Sequence, residues 1–299
     1  MDTLLPHLGR STRMSTNDVR SRADLHIHTM ASDGTAGVLQ VLTAAEAQHL
    51  DVIAITDHDR IDAAQAAQAM AVASSLHVEV VVGEEISTLQ GHLVALFLKE
   101  RVKPLRSLRR TIAEVHEQGG IAISAHPLFP HFLCTQEGTL RSVANDRDPA
   151  CRPDAIEIFN PTIFGTYPRA RVQRLAAELG ILGIGASDAH VVEAIGRVWS
   201  TFPGRGAADL RAAILERTIE FGGGTDHALM ESPSIFGRQM LRNLIGLGQD
   251  LAGLARPVWS LGGARQGRDL GYPGSRQRPA VYDPRAHLRE HEKEKGEQR

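Results

Sequence analysis

His26 and His28 stand two apart as His26-Ile27-His28 at the end of a short apolar run. Side chains two apart on a strand point the same way, so both imidazoles face one place. Asp33 follows in a Ser32-Asp33-Gly34 turn. The same kind of residue recurs wherever a later apolar run ends or begins: Asp57-His58-Asp59, Glu84-Glu85, His92, Ala125-His126-Pro127 and Asp188-Ala189-His190. A lone His-X-His is a common accident, but six such placements at strand ends are not. Histidine and carboxylate without thiolate suit Zn, Mn or Fe better than Ca or Mg. The set is too large for one tetrahedral ion and suits two or three divalent ions sharing ligands, as in two-metal hydrolases. Ions so held lower the pKa of bound water, so the nucleophile can be hydroxide without a Ser or Cys. Asp57 reads as a partner that orients a ligand rather than a ligand itself. The remaining eight of the 14 histidines (His7, His49, His77, His116, His131, His227, His287 and His291) fall outside the pattern and read as solvated or helix-face residues.

The elements that must position these residues alternate. Apolar and β-branched runs predict strands over 23–26, 52–56, 78–82, 93–98, 121–124, 155–159 and 182–185. Helical spacing predicts helices over 39–49, 63–74, 105–118, 169–179 and 209–216, with glycines at 119, 120 and 180 as stops. Seven strands alternating with helices suit a closed or nearly closed β/α barrel, whose strand C-termini converge on one face. A doubly wound open sheet is the competing arrangement.

Composition narrows the class. Of 299 residues, 42% are hydrophobic and 23% charged, which excludes a mostly disordered or fibrous chain. No apolar run is long enough to span a bilayer. A net charge of −2 offers no basic field for stable duplex nucleic acid, while a short fragment gripped at its phosphates fits. Cys134 and Cys151 are too few for a disulfide framework, and residues 1–21 lack an apolar signal core, so a reducing cytoplasm is the expected location. The chain divides into a flexible segment 1–21, a catalytic domain 22–222, a helical extension 223–259 and a disordered tail 260–299. Within the extension, residues 233–256 repeat apolar residues at helical spacing. They pack on the barrel, or else lie along a membrane with Arg238, Arg242 and Arg256.

At these motifs the chain resembles the PHP family, the polymerase and histidinol phosphatase domain superfamily, over about residues 22–200. Asp24-Leu25-His26-Ile27-His28-Thr29 with Ser32-Asp33-Gly34 is similar to its first motif, and Ile55-Thr56-Asp57-His58-Asp59 to its second. Gly83-Glu84-Glu85-Ile86-Ser87, His92 before Leu93-Val94-Ala95, Ala125-His126-Pro127 and Gly185-Ala186-Ser187-Asp188-Ala189-His190 follow in the family's order. The resemblance implies a distorted (β/α)₇ barrel with two to three divalent ions (Mn, Zn or Fe) on His26, His28, Asp33, His58, Glu85, His92, His126, Asp188 and His190. It assigns the metal role to Glu85 over Glu84, with Glu85 bridging.

The implied activity is phosphoester hydrolysis by attack of metal-bound hydroxide, with His126 or His190 as candidates to protonate the leaving oxygen. The implied substrates are nucleoside 3′,5′-bisphosphates or the 5′ ends of short RNA or DNA. The 33 residues between His92 and His126 leave no room for the helical insertion of nucleotide-cleaving relatives. The loop 127–154, with His131, Arg141, Arg147 and Arg152, is either a replacement cap or a surface loop. Arg169, Arg171, Arg174 and Arg197 are candidate phosphate ligands, against an exposed basic face as the plainer reading. Two other functions stay open: a metal-stabilised non-catalytic scaffold, and an amidohydrolase-like enzyme cutting C–N bonds.

Overall fold

The computed structural model describes residues 19–224. Residues 1–18 and 225–299 lie outside that range, and with them the expected helix 233–256 and the tail. The strands are β1 (Arg20–Ile27), β2 (Val52–Ile55), β3 (Glu79–Thr88), β4 (Gly91–Leu96), β5 (Ile121–Ser124), β6 (Ala155–Phe159), β7 (Leu182–Gly185), β8 (Val198–Pro203) and β9 (Glu220–Gly223). The helices are α1 (Val38–Ala47), α2 (Asp62–Ala73), α3 (Leu108–Glu117), α4 (Glu137–Ala144), α5 (Ile163–Thr166), α6 (Arg169–Leu179) and α7 (Gly206–Glu216). No described helix is long and apolar enough to cross a membrane.

All nine strands form one sheet in the order β7-β6-β5-β4-β3-β2-β1-β8-β9. It curls into a nearly closed barrel whose edge strands are β7 and β9, with β7 facing β8 and β9 across the seam. Two contacts draw the seam together. The Gly185 N–H donates to the Ser200 hydroxyl, which donates to the Gly185 carbonyl at 2.9 Å. At the mouth, Ala189 forms a parallel bridge to Ile27, with His28 N donating to Ala189 O at 2.9 Å. Glycine is required at 185, because a Cβ there would stand 2.9 Å from that of Phe221.

Interior and exterior follow from strand alternation. Ala23, Leu25, Val52, Ala54, Val81, Val94, Leu96, Ile121, Ile123, Ala155 and Ile184 form one buried cluster with Leu210, Ala213 and Ile214 of α7. Other apolar strand positions, among them Ile53, Ile55, Val80, Val82 and Ile86, pack in a second cluster with α1, α2 and α3, and Ile156 and Ile158 of β6 in a third with Val172 and Leu175 of α6. Counting on by twos from the first cluster leads into the polar residues: Val81 to Gly83 to Glu85, Val52 to Ala54 to Thr56 to His58, Val94 back to His92, Ala155 to Glu157. The site is therefore the top layer of the barrel interior, resting on aliphatic layers. β1 needs an adjustment, supplied by an irregularity in its pairing with β2 between Asp24 and Ile27. It shifts the inward parity from Leu25 to His26 and His28.

Several expectations need correction, among them the loop 127–154, which carries helix α4. Seven strands were expected and nine lie among the described residues: the alternation of Val198, Ser200 and Phe202 (buried) with Trp199 and Thr201 (half-buried) makes β8, and β9 returns through α7 to pair antiparallel with it at the sheet edge. Helix α3 starts at Leu108 rather than 105, since the Ser107 side chain caps it by accepting from Arg110 N. Because Ser200 alone answers both backbone groups of Gly185 across the seam, Ser200→Ala is expected to cost about 1–3 kcal/mol in chemical denaturation. A loss below about 0.5 kcal/mol would show that the seam does not depend on this hydroxyl.

Candidate metal centre

Strand direction decides which ligands meet. β1, β2, β3, β5, β6 and β7 are parallel through their pairings, so their C-terminal ends share one face. β4 runs antiparallel to both β3 and β5, so its first residues lie at that same face, with His92 opposite Ser87 and Leu93 opposite Ser124. This is why a histidine at the start of a strand joins those at the ends of others. Asp59, His126 and Asp188 sit in the left-handed region, at φ 53°, 22° and 50°. Such backbone costs about 1–3 kcal/mol per residue and persists where surrounding bonds enforce it.

Glu85 is the centre of the cluster. Its Oε2 lies 3.2 Å from His26 Nε2 and 3.3 Å from both His28 Nε2 and His58 Nδ1. Its Oε1 lies 2.8 Å from His92 Nδ1 and 3.0 Å from His126 Nε2. Asp33 faces His28 Nδ1 at 3.3 Å, His58 Nε2 at 3.2 Å and His190 Nε2 at 3.4 Å. Asp188 faces His28 Nε2 at 3.3 Å and His26 Nε2 at 3.5 Å. All nine expected ligands are thus brought together. Three overlapping sets each bring their donor atoms within 4.8 Å of one another: His28, Asp33, His58 and His190; His26, His28 and Asp188; His58, Glu85 and His92. Glu84 points into the outer layer, where its Oε2 accepts from Val102 N at 2.8 Å, so it is separate from the cluster.

The donor set fits metal ions. Asp33 Oδ2 and His92 Nδ1 are buried without a hydrogen-bond partner although complementary atoms stand within 3.2 Å and 2.8 Å. Lone pairs crowded toward shared points, rather than aligned on one another, are what coordination by oxygen and nitrogen requires.

Burial is the largest single influence on every one of these groups and opposes charge. The charges nonetheless prevail: His58, His190 and His28 hold Asp33 well below the ordinary carboxylate range, and His92, His58 and His26 do the same to Glu85. His26, with a hydrogen bond from His28, holds Asp188 down. Against burial, Asp33, Asp188 and Glu85 raise His28 to about 9, and Asp33 and Glu85 raise His58 to about 9. His92 is the exception: burial outweighs Glu85 and lowers it.

Asp57 is in none of the three donor sets and organises the loop after β1. Its Oδ1 accepts from Thr29 N at 2.8 Å and Ser32 N at 3.2 Å, and its Oδ2 from the Thr29 hydroxyl at 2.7 Å. Two residues of the site escaped the sequence reading. Glu157, fully buried on β6, places Oε1 2.7 Å from His26 Nδ1, and Asn160 donates to both Glu157 and Asp188. Their signal was a carboxylate in an otherwise apolar strand, followed by an amide just past its end.

The expected phosphate ligands find other partners. Arg171 pairs with Glu137 at 2.7 Å, Arg169 stacks on Phe159 at 3.6 Å, and Arg197 Nε donates to the Glu193 carbonyl. None of their described contacts reaches the cluster. In the loop 127–154, Arg141 bridges Glu137 and Glu178, and Arg152 holds the Asp146 carbonyl. Those two arginines tie surface elements together.

Comparison with known proteins agrees with this geometry. The chain matches the PHP domain over residues 24–131 and the PHP-associated region over 167–219. An uncharacterized protein of Methanocaldococcus jannaschii is 34% identical over 150 residues, covering 46% of this chain and 81% of that one. A 5′-3′ exoribonuclease of Haemophilus influenzae is 32% identical over 104 residues, 33% of this chain and 37% of the enzyme. Among solved structures, a two-domain protein from Bacteroides vulgatus containing a predicted PHP-like metal-dependent phosphoesterase superposes with a TM-score of 0.54 at 18% identity. That match covers 69% of this chain and 65% of that protein. The chain belongs to the PHP domain family.

The raised histidines set a pH dependence. Protonated His28 and His58, at about 9 against an ordinary 6.5, contribute stability to the metal-free protein that is complete below about 6.5 and lost as pH rises through 9. Divalent ions need the same nitrogens bare, so metal affinity should climb across that window with release of protons. Calorimetry with Mn²⁺ near about pH 7.5, in two buffers of different ionisation heat, measures those protons; binding with no proton release would contradict the assignment.

Proposed function

We propose that this protein is a metal-dependent phosphoesterase acting on nucleotides or the 5′ ends of short oligonucleotides. The observation that carries the reading is the nine-residue cluster of histidines and carboxylates at the barrel mouth. Two to three divalent ions bound there would supply charge stabilisation at phosphoryl oxygens and a nucleophile from water near neutral pH; the donor set suits Mn, Zn or Fe.

The chain's own residues would divide the work. Glu85, touching five histidines through its two oxygens, would be a central metal ligand. His28 and His58 each belong to two donor sets and would hold an ion in one of them. His126 and His190 are poor proton donors to a leaving group. The His126 ring nitrogens face Glu85 and Cys134, and those of His190 face Asp33 and the Asp188 carbonyl, so both act better as ligands.

The rim points to the substrate. The segment after β5 lies against the ligands, with His92 N donating to Leu133 O at 2.9 Å and Cys134 Sγ 3.5 Å from His126 Nδ1. It carries Phe132, 75% exposed, and Phe129, whose ring meets Tyr167 edge-on at 5.9 Å. Tyr167, from the connection after β6, is 76% exposed. Aromatic residues make up only 4% of the chain, so their gathering beside the ligands is informative. Exposed rings beside an anion-binding site suit stacked bases, each contributing about 1–3 kcal/mol. The match to an exoribonuclease points the same way, although it spans only 37% of that enzyme.

The test is phosphate release by the Mn-loaded protein from a nucleoside 3′,5′-bisphosphate, a 5′-phosphorylated oligoribonucleotide and a sugar phosphate. Nucleotide turnover is expected, abolished in His26→Ala. Phe132→Ala and Tyr167→Ala should raise KM for the nucleotides about tenfold more than for the sugar phosphate. Metal binding without turnover on any of the three would favour a non-catalytic scaffold.

A further inference from the structure

We propose that the cluster is built as two separately supported halves, in which Glu157 with Asn160 positions one metal ion and Asp57 positions another. The inference rests on the reading of the cluster as a metal centre and concerns what holds its ligands in place.

On one side, Glu157 serves three ligands. Its Oε1 stands 2.7 Å from His26 Nδ1, which places the ring proton on Nδ1 and turns the Nε2 lone pair toward His28, Glu85 and Asp188. Its Oε2 accepts from His126 N at 2.8 Å and so fixes the strained backbone that aims His126. The same oxygen accepts from Asn160 Nδ2 at 3.2 Å, and that amide also donates to Asp188 Oδ2 at 3.1 Å. The orientation of the amide is dictated by Thr162, whose backbone N–H reaches Asn160 Oδ1 at 2.9 Å. Only an oxygen can accept there, so the NH₂ must face the two carboxylates. His26 and Asp188 are two members of one donor set, with His28 the third.

On the other side, Asp57 fixes the turn that carries Asp33. Four groups of Thr29 and Ser32 converge on its carboxylate. The turn closes on Gly34, whose missing Cβ would stand 2.5 Å from the His28 carbonyl oxygen. Thr35 extends the same loop to the His190 carbonyl, through its N–H at 2.8 Å and its hydroxyl at 3.0 Å. This loop therefore positions His28, Asp33 and His190, three of the four members of a different donor set. No described contact of Asp57 reaches Glu157, Asn160 or Asp188. The halves meet at His28 and Glu85, and where the His190 ring faces the Asp188 carbonyl at 3.0 Å.

Loss of a group that orients a metal-bound histidine or carboxylate lowers affinity about 10–100-fold. The full chain, stripped with chelator and titrated with Mn²⁺ in a calorimeter, separates the ions by affinity. Glu157→Gln, which keeps shape and loses charge, should weaken one ion by about that factor and leave another within about twofold. Asn160→Ala should weaken the same ion, and Asp57→Asn a different one. Paired variants give the decisive reading. Glu157→Gln with Asn160→Ala should be strongly non-additive, whereas Glu157→Gln with Asp57→Asn should add. Melting of the metal-free variants checks folding; should Glu157→Gln fail to fold, Asn160→Ala paired with Asp57→Asn gives the same additivity test.

If every variant loses all ions together, or Glu157→Gln and Asn160→Ala both keep wild-type affinity for each ion, the division into halves is wrong while the metal centre stands. If the wild type itself takes up no Mn²⁺, both this inference and the phosphoesterase reading fall.

Discussion

Asp33, Glu85 and Asp188 are carboxylates held ionised and buried around shared histidines, and removing each from water costs several kcal/mol. No structure keeps three such groups together unless positive charge is supplied among them. In the metal-free protein, protons on the surrounding histidines supply it, which is why His26, His28, His58, His126 and His190 are all raised. Divalent ions would replace those protons at the same atoms. The barrel exists to hold this concentration of like charge at one end of an otherwise aliphatic interior.

Several features of the fold serve that constraint. Aliphatic layers below the cluster, closed by Leu210, Ala213 and Ile214 of α7, keep water from entering from beneath. The antiparallel course of β4 returns His92 to the crowded end, and the shifted parity of β1 delivers His26 and His28 instead of two aliphatic residues. The Ile27–Ala189 bridge brings the first and last ligand-bearing segments side by side across the seam. Left-handed backbone at Asp59, His126 and Asp188 stays in place because bonds such as Glu157 to His126 N over-determine it.

Much of this was legible from residues alone, for a physical reason. Ligands at strand ends interrupt apolar runs with groups that a core cannot tolerate singly, so His26, His58, His126 and Asp188 announce themselves. What escaped were features that depend on pairing across the chain. Glu157 lies among apolar neighbours in Ala155–Phe159 and gains meaning only when β6 is set beside β5 and β7. β8 was missed because Ser200 and Thr201 dilute its apolar pattern, although Ser200 turns out to close the seam. Arg171, a candidate phosphate ligand beside the plainer reading of an exposed basic face, pairs with Glu137 of α4, 34 residues away, a contact that only the fold reveals.

The central claim, that the nine clustered side chains exist to bind ions rather than to pair with one another, is tested most directly by anomalous diffraction. Crystals soaked in Mn²⁺ and measured at its absorption edge should show at least two peaks inside the cluster. The ligand atoms of Glu85 and His28 should then be drawn from their mutual contacts onto those peaks. Absence of any peak there, with Asp33, Glu85 and Asp188 still matched to protonated histidines, would contradict it.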